Sequence, residues 1–271
     1  MDVRLNIANI LISSYKYKGF IAGSVKREFQ SKYQNSLLGV VWTIINPLAM
    51  IFVYTVIFSQ IMKAKLPGSE SEFSYGIYLC AGILTWGLFV EIITKAQTVF
   101  LDNANILKKL NFPKLILPIV IIINSSLNFF IIFSLFLFFL VLSHSFPGWV
   151  IFSLVPVLLI QIIFSIGLGM IVGILNVFFR DVGQLFGILL QFWFWLTPIV
   201  YPINILPSFI QPIVLTWNPM AMIITSYQVI LVEGQQPNWY MLIVPLCVGL
   251  IFCLMAFNLF RHHADEIVDE L

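Results

Sequence analysis

Long apolar runs separated by short polar connections dominate this chain. The first run reaches from about Leu37 to Met62, and others cover Gly76 to Thr94, Leu115 to Leu142, Val150 to Phe178, Gln184 to Pro198 and Tyr240 to Phe260. A helix rises about 1.5 Å per residue, so most of these runs are long enough for the roughly 30 Å of hydrocarbon in a bilayer. The pattern predicts an all-α integral membrane protein with six transmembrane helices.

Between the fifth and sixth runs the pattern changes. Six of the 13 prolines fall between Pro198 and Pro237. Proline removes a backbone donor and interrupts a helix, and unpaired backbone is not tolerated facing lipid. The two apolar pieces in this stretch, Ile203 to Thr216 and Met220 to Val232, are each too short to cross. They predict a re-entrant helical hairpin over about residues 203–232, both ends on one side of the membrane.

Ahead of the first run, Ile21, Val25 and Phe29 recur at four-residue spacing while Lys18, Lys26, Arg27 and Lys32 supply charge. That is the pattern of a basic amphipathic helix lying at an interface. The expected organisation is an interface segment over residues 1–36, a transmembrane domain over 37–260 and a tail over 261–271. The short apolar stretch near Ile10 is broken by Asn6 and Asn9 and is not expected to act as a cleavable signal.

Composition sharpens this picture. Hydrophobic residues make up 60% of the 271 positions and charged residues 10%, with mean hydropathy +1.00. Soluble domains carry about 25% charged residues. On the six-span topology, 12 of the 14 Lys and Arg residues collect on one face, leaving Lys63 and Lys65 on the other. The positive-inside rule then places both termini in the cytoplasm, in a cell inner or plasma membrane. Counting the proline-rich hairpin as a full span would move Arg261 outside, so the rule favours re-entrance.

Catalytic constellations are missing from the sequence. Glu91 is the carboxylate within a span, and Lys95 at i+4 makes an end-of-helix pair of it rather than a proton relay. His144 and the His262–His263 pair fall on opposite faces, and Cys80, Cys247 and Cys253 lie in apolar runs without metal-ligand spacing. Neither metal, cofactor nor nucleic acid is implied. The chain also has no Gly-x-x-x-x-Gly-Lys-Ser/Thr loop, so ATP-driven work would need a separate ATPase docked on the cytoplasmic face.

Five blocks of sequence carry a family likeness: REFQSKYQNSLLGVVWTIINP from Arg27, NANILKKLNFPKLILP from Asn103, NVFFRDV from Asn176, FWLTPIVYP from Phe194, and Trp217-Asn218-Pro219. Together, and in this order, they closely resemble the ABC-2-type permeases that export O-antigen, capsular polysaccharide and teichoic acid. The resemblance implies a homodimer of six-helix subunits, each bound to an ATPase subunit. It also implies a channel for a glycan linked to a polyprenyl diphosphate lipid, with the hairpin as an extracytoplasmic gate.

It further implies that the N-terminal helix, with Arg27, and the loop holding Asn105, Lys108, Lys109, Phe112 and Pro113 meet the ATPase. The loop chemistry agrees, since two lysines offer charge and Phe112–Pro113 offers a rigid apolar knob. Arg180–Asp181, in a very short cytoplasmic turn, either touches the ATPase or pairs locally. For a sugar polymer that must slide, aromatic rings stacking on C–H faces are suitable lining. Trp42, Trp86, Phe192, Trp195 and Tyr201 are candidates, with an interfacial aromatic belt as the other reading of the same residues.

Two rival functions remain. One is a similar permease that exports small molecules or lipids. The other is a membrane-embedded enzyme or assembly factor of glycan synthesis, against which the missing catalytic constellation counts.

Overall fold

The computed structural model describes residues 18–32, 39–61, 73–109, 116–264 and 266–271, and these form helices joined by short connections, with no strand among them. Helix α1 is Lys18–Lys32. Helix α2, Trp42–Phe52, continues as π-helical turns over Val53–Ile61. Then come α3, Ser74–Asp102, the short α4, Ala104–Lys109, and α5, Ile116–Leu142. A 3-10 segment, Gly148–Ser153, leads into α6, Leu154–Phe178. Helix α7 is Asp181–Leu196 and α8 is Gln211–Trp217. Helix α9, Pro219–Gln228, again ends in π-helical turns, Val229–Glu233. The chain closes with α10, Trp239–His262, and α11, Glu266–Glu270.

Local chemistry sets many of these boundaries. Pro118, Pro156, Pro212 and Pro219 all fall within the first three residues of their helices, where a missing N–H breaks no intrahelical bond. Asn218 and Asn238 cap α9 and α10, accepting from the backbone N–H of Ala221 and Tyr240 at 3.2 and 3.1 Å. The α2 ladder widens into π turns at Thr55, whose hydroxyl donates to the carbonyls of Ile51 at 2.6 Å and Phe52 at 3.4 Å. A side chain that bonds back into the ladder loosens it there. The π turns of α9 stop at Gly234, whose φ of +64° is the left-handed conformation a glycine adopts freely.

Among the described residues, four helical segments are long and apolar enough to cross a membrane: Ser74–Asp102, Ile116–Leu142, Gly148–Phe178 and Trp239–His262. Each occupies one of the expected runs, although α3 continues past Thr94 to Asp102. The other two expected spans are shorter. α7 has 16 residues, about 24 Å of helix, and it starts at Asp181 and stops before Pro198, where the chain turns extended at Thr197. The expected hairpin is unequal. α8 has no buried residue, whereas α9 is buried along nearly its whole length, and the two meet at an angle of 105°.

At the centre lies α3, 78% of whose apolar window is buried against 22% for α10. It packs most extensively on α6, whose opposite face lies along α10. Small residues let these backbones approach. A Cβ on Gly173 of α6 would stand 2.2 Å from the Ala96 carbonyl oxygen of α3, and one on Gly249 of α10 would stand 2.9 Å from Phe164 of α6. Such small-residue seams are how membrane helices gain van der Waals contact without a hydrophobic drive between them. Within the seam the buried Gln161 amide donates to the Thr85 carbonyl at 2.7 Å, locking the register of α6 on α3.

The two ends of the bundle differ in chemistry. At one end Phe100 stacks on Phe260 and Phe178 lies edge-on to His263, with centroids 5.9 and 5.7 Å apart, gathering the tips of α3, α6 and α10. The basic residues of α1, α4 and the α6–α7 turn belong to this end. At the other end Ser153 donates to Gln236 at 2.8 Å and Phe73 meets Phe139 edge-on. Trp149, Trp217 and Tyr240 are strongly exposed there.

Candidate functional site

Helices α3 and α7 run antiparallel side by side, and a groove of about 430 Å³ opens between them. One wall is Trp86, Val90 and Thr94, four residues apart and so on one face of α3. The other is Gly187, Leu190, Gln191, Phe194 and Trp195 of α7, again at helical spacing. A Cβ on Gly187 would meet nothing within 4 Å, so this glycine leaves the groove open at its polar half. Thr94 already donates its hydroxyl proton to the Val90 carbonyl at 2.8 Å, which leaves the oxygen as an acceptor.

Behind the groove stands a cluster of rings from four helices. Trp86 lies edge-on to Phe194 at 5.8 Å and Trp193 at 6.4 Å, and Phe89 meets Trp193 at 5.3 Å and stacks on Phe164 at 5.9 Å. Phe164 in turn reaches Phe252 of α10 at 5.8 Å. Each such pair adds about 0.5–1.5 kcal/mol beyond its buried area. Trp195 extends the cluster outward, edge-on to Phe194 at 5.3 Å. The wall is therefore rigid and aromatic at one half of the groove, while the Thr94 hydroxyl, the Gln191 amide and an open glycine occupy the other.

Beyond Trp195 the backbone from Thr197 to Tyr201 is not helical, and its polar groups are met by side chains of neighbouring helices. The Tyr78 hydroxyl, in hydrogen-bond distance of two carbonyls, lies 3.0 Å from that of Pro198 and 2.9 Å from that of Tyr201. Gln228 donates to the Pro198 carbonyl at 3.1 Å and Tyr75 to the Val200 carbonyl at 2.8 Å. Irregular backbone at such depth persists only where protein satisfies it. Asn218, at the bend between α8 and α9, accepts from the Trp193 indole at 2.9 Å and donates to Thr197 at 3.0 Å.

Of the aromatic candidates, Trp86 and Trp195 meet in the groove, and Tyr201 joins them by donating to the Trp195 carbonyl at 3.0 Å. Phe192 is exposed and is not among the groove residues, and Trp42 stands at the head of α2, which packs on α5. Sequence reasoning left out Phe89, Phe164, Thr94, Gly187 and Gln191. The four-residue spacing of Trp86, Val90 and Thr94 puts them on one helix face, but nothing local says which helix that face meets.

The charged candidates lie at the basic end. Arg27 donates to Ser24 at 3.0 Å and sits 5.8 Å from the Phe20 ring centroid. Asn105 and Lys108 are exposed on α4, of which Lys109 is the last residue. Phe112 and Pro113 lie outside the described residues. Arg180 and Asp181 are exposed at the start of α7, with Asp181 in its first turn, where the helix dipole favours a carboxylate. The Glu91–Lys95 pair is more than a local one, because Lys95 lies 2.8 Å from Glu91 and 2.6 Å from Glu28 of α1. Among the described residues no group of three or more His, Cys, Asp or Glu is placed to hold a metal ion.

Comparison with known proteins gives this arrangement a family. The chain is 28% identical over 258 residues to the O-antigen export system permease protein RfbA of Myxococcus xanthus, covering 95% of this chain and 97% of that one. A permease of the same name from Klebsiella pneumoniae is 28% identical over 246 residues, covering 89% and 92%. The polysialic acid transport protein KpsM of Escherichia coli is 23% identical over 203 residues, covering 73% and 75%. The profile of the ABC-2 type transporter family matches residues 21–232, which takes in most of α1, the groove helices and the α8–α9 bend, and the chain belongs to that family.

Proposed function

We propose that this chain is the membrane-spanning subunit of an ABC transporter that exports lipid-linked polysaccharide, such as O-antigen, across the cell inner membrane. The observation that carries this reading is its alignment, over nearly the full length of both chains, with permeases named for O-antigen export. The groove supports it. Ring faces at Trp86, Phe194 and Trp195 suit the C–H faces of sugars, and Gln191 and Thr94 can exchange hydrogen bonds with hydroxyl groups as a chain slides past.

In this reading two copies assemble side by side, each on an ATPase subunit, with the glycan held on a polyprenyl diphosphate lipid. The basic end faces the cytoplasm, as the positive-inside rule requires, and the exposed Trp149, Trp217 and Tyr240 settle at the far interface. Helices α2, α3, α5, α6, α7 and α10 are the six spans, and α8 with α9 forms the re-entrant gate. Helices α1 and α4, the Phe112–Pro113 knob and the Arg180–Asp181 turn form the surface for the ATPase.

Reconstitution with the ATPase subunit in vesicles is the direct test. Expected is ATP-dependent movement of polyprenyl-diphosphate-linked glycan and none without the ATPase. Movement of small amphiphiles with no glycan transport would instead favour the efflux permease. Topology is checked by thiol labelling of Lys65→Cys and Lys108→Cys in intact cells, where only the first should react. Outside labelling at Lys108→Cys would overturn the orientation.

A further inference from the structure

Helix α1 rests on the bundle with little apolar contact. Ile21 is its one buried hydrophobic among the described side chains, and a cavity of about 500 Å³ lies between it, α3 and α5. What crosses that gap is polar. Lys95 of α3 lies 2.6 Å from one oxygen of Glu28, while the Asn124 amide of α5 donates to the other. The same Lys95 lies 2.8 Å from Glu91, whose second oxygen accepts from Asn128 of α5 at 2.7 Å. Two carboxylates thus share one ammonium, and each is also held by an amide from α5.

The arrangement is more than a surface pair. Lys95 and Glu91 have only 29% and 23% of their side chains exposed, Glu28 has 42%, and Asn124 is buried. Three helices meet in it, and the residues that meet, Glu28, Lys95 and Asn124, are far apart in sequence. Charge-assisted bonds in a half-buried place hold geometry better than the long flexible chains of an exposed pair do.

We infer that the Glu28–Lys95–Glu91 network, with Asn124 and Asn128, is a strut that makes α1 and the basic half of α3 move as one body, with Glu28 as the positioning residue that transmits ATPase motion to the groove helices. The inference rests on the reading of this chain as an ATP-driven exporter. Trp86, Val90 and Thr94 ride on the same α3, so a displacement of α1 reaches one whole wall of the groove. Without the strut, α1 would rock over the cavity and its motion would be lost to the wall, leaving α4, which follows α3 directly, to move it alone.

Glu28→Leu removes the tie and leaves Lys95 paired with Glu91, so the span keeps no unpaired charge. In vesicles with the ATPase, co-purification and ATP hydrolysis should persist. Glycan moved per ATP should fall by about tenfold or more, the size expected for losing bonds to a charged group. A Glu28→Cys/Thr98→Cys pair, which lines the cavity from α1 and α3 and spares Lys95 and Glu91, should when joined by a short bifunctional thiol reagent recover transport that the unjoined pair lacks, with reagent-treated wild type as control. Wild-type transport by Glu28→Leu, or no recovery on joining, overturns the strut.

Amide hydrogen exchange in α1 separates this outcome from failure of the export reading. Exchange should quicken about tenfold in Glu28→Leu and slow again in the joined pair, whatever the cargo. Unchanged exchange overturns the strut even if glycan is exported. A wild-type complex that moves no glycan but shows this exchange pattern refutes the export reading alone.

Discussion

The indole N–H of Trp193 points at the side-chain oxygen of Asn218, 2.9 Å away, tying the outer end of α7 to the bend between α8 and α9. The same oxygen caps α9 through Ala221, and the amide nitrogen reaches Thr197. One side chain therefore joins the aromatic cluster, the start of the irregular backbone and the bend. The bend belongs to the proposed gate and the cluster to the groove, so this side chain joins the two.

Replacing Asn218 with Ala should remove a helix cap, costing about 1 kcal/mol, and leave a part-buried indole donor unpaired, costing about 1–3 kcal/mol more. Thermal unfolding in detergent should show the loss. Trp193→Phe, which removes the donor itself, should make the second change less costly in the double variant. Additive losses would mean that the hydrogen bond contributes nothing.

Gly187 stands where an added Cβ meets nothing within 4 Å, so a side chain there starts out into the open groove. Gly187→Trp should leave the melting temperature within about 2 °C of wild type, since substitutions away from packed features change stability little. Glycan export should nevertheless be blocked. Undiminished export by a well-folded Gly187→Trp chain would show that the glycan passes elsewhere.

Phe112→Asp tests the ATPase surface, because a charge placed in a desolvated contact costs several kcal/mol. Loss of ATPase co-purification and of surface glycan at normal expression is the expected outcome, with Lys63→Asp as the control on the opposite face. Normal co-purification together with normal export would reduce the loop to a topological anchor.

Much of the fold was legible in the sequence. Apolar runs located α3, α5, α6 and α10 because twenty or so such residues have few other uses, and the proline crowd between Pro198 and Pro237 marked the break that separates α8 from α9. Partnership between helices was not legible. A helix that is apolar on most of its faces gives no periodic hint of which face meets which neighbour, so the stack of Phe89, Phe164 and Trp193 had no signal. Lys95 had an obvious partner four residues back, and nothing local pointed to Glu28. Nothing local to Tyr75, Tyr78 or Gln228 pointed to the carbonyls of residues 198–201 that they meet.

The close approach of Gly173 to Ala96 has a consequence for biogenesis. α3 has the lowest hydropathy of the four long helices, 1.8 against 2.4 to 2.6, and it carries Glu91 and Lys95. Its small-residue face and the Thr85 carbonyl are met only when α6 arrives, after α5 has already been made. We predict that α3 lingers at the insertion machinery instead of passing at once into lipid. A ribosome-stalled chain ending before Leu154 should keep α3 cross-linked to that machinery, and chains that include α6 should let it go. In Gly173→Leu, where a side chain would collide with backbone, release should be slow and the protein should be degraded before it ever reaches an assembled transporter. Equal release of α3 from short and long nascent chains would show that it enters the bilayer unaided.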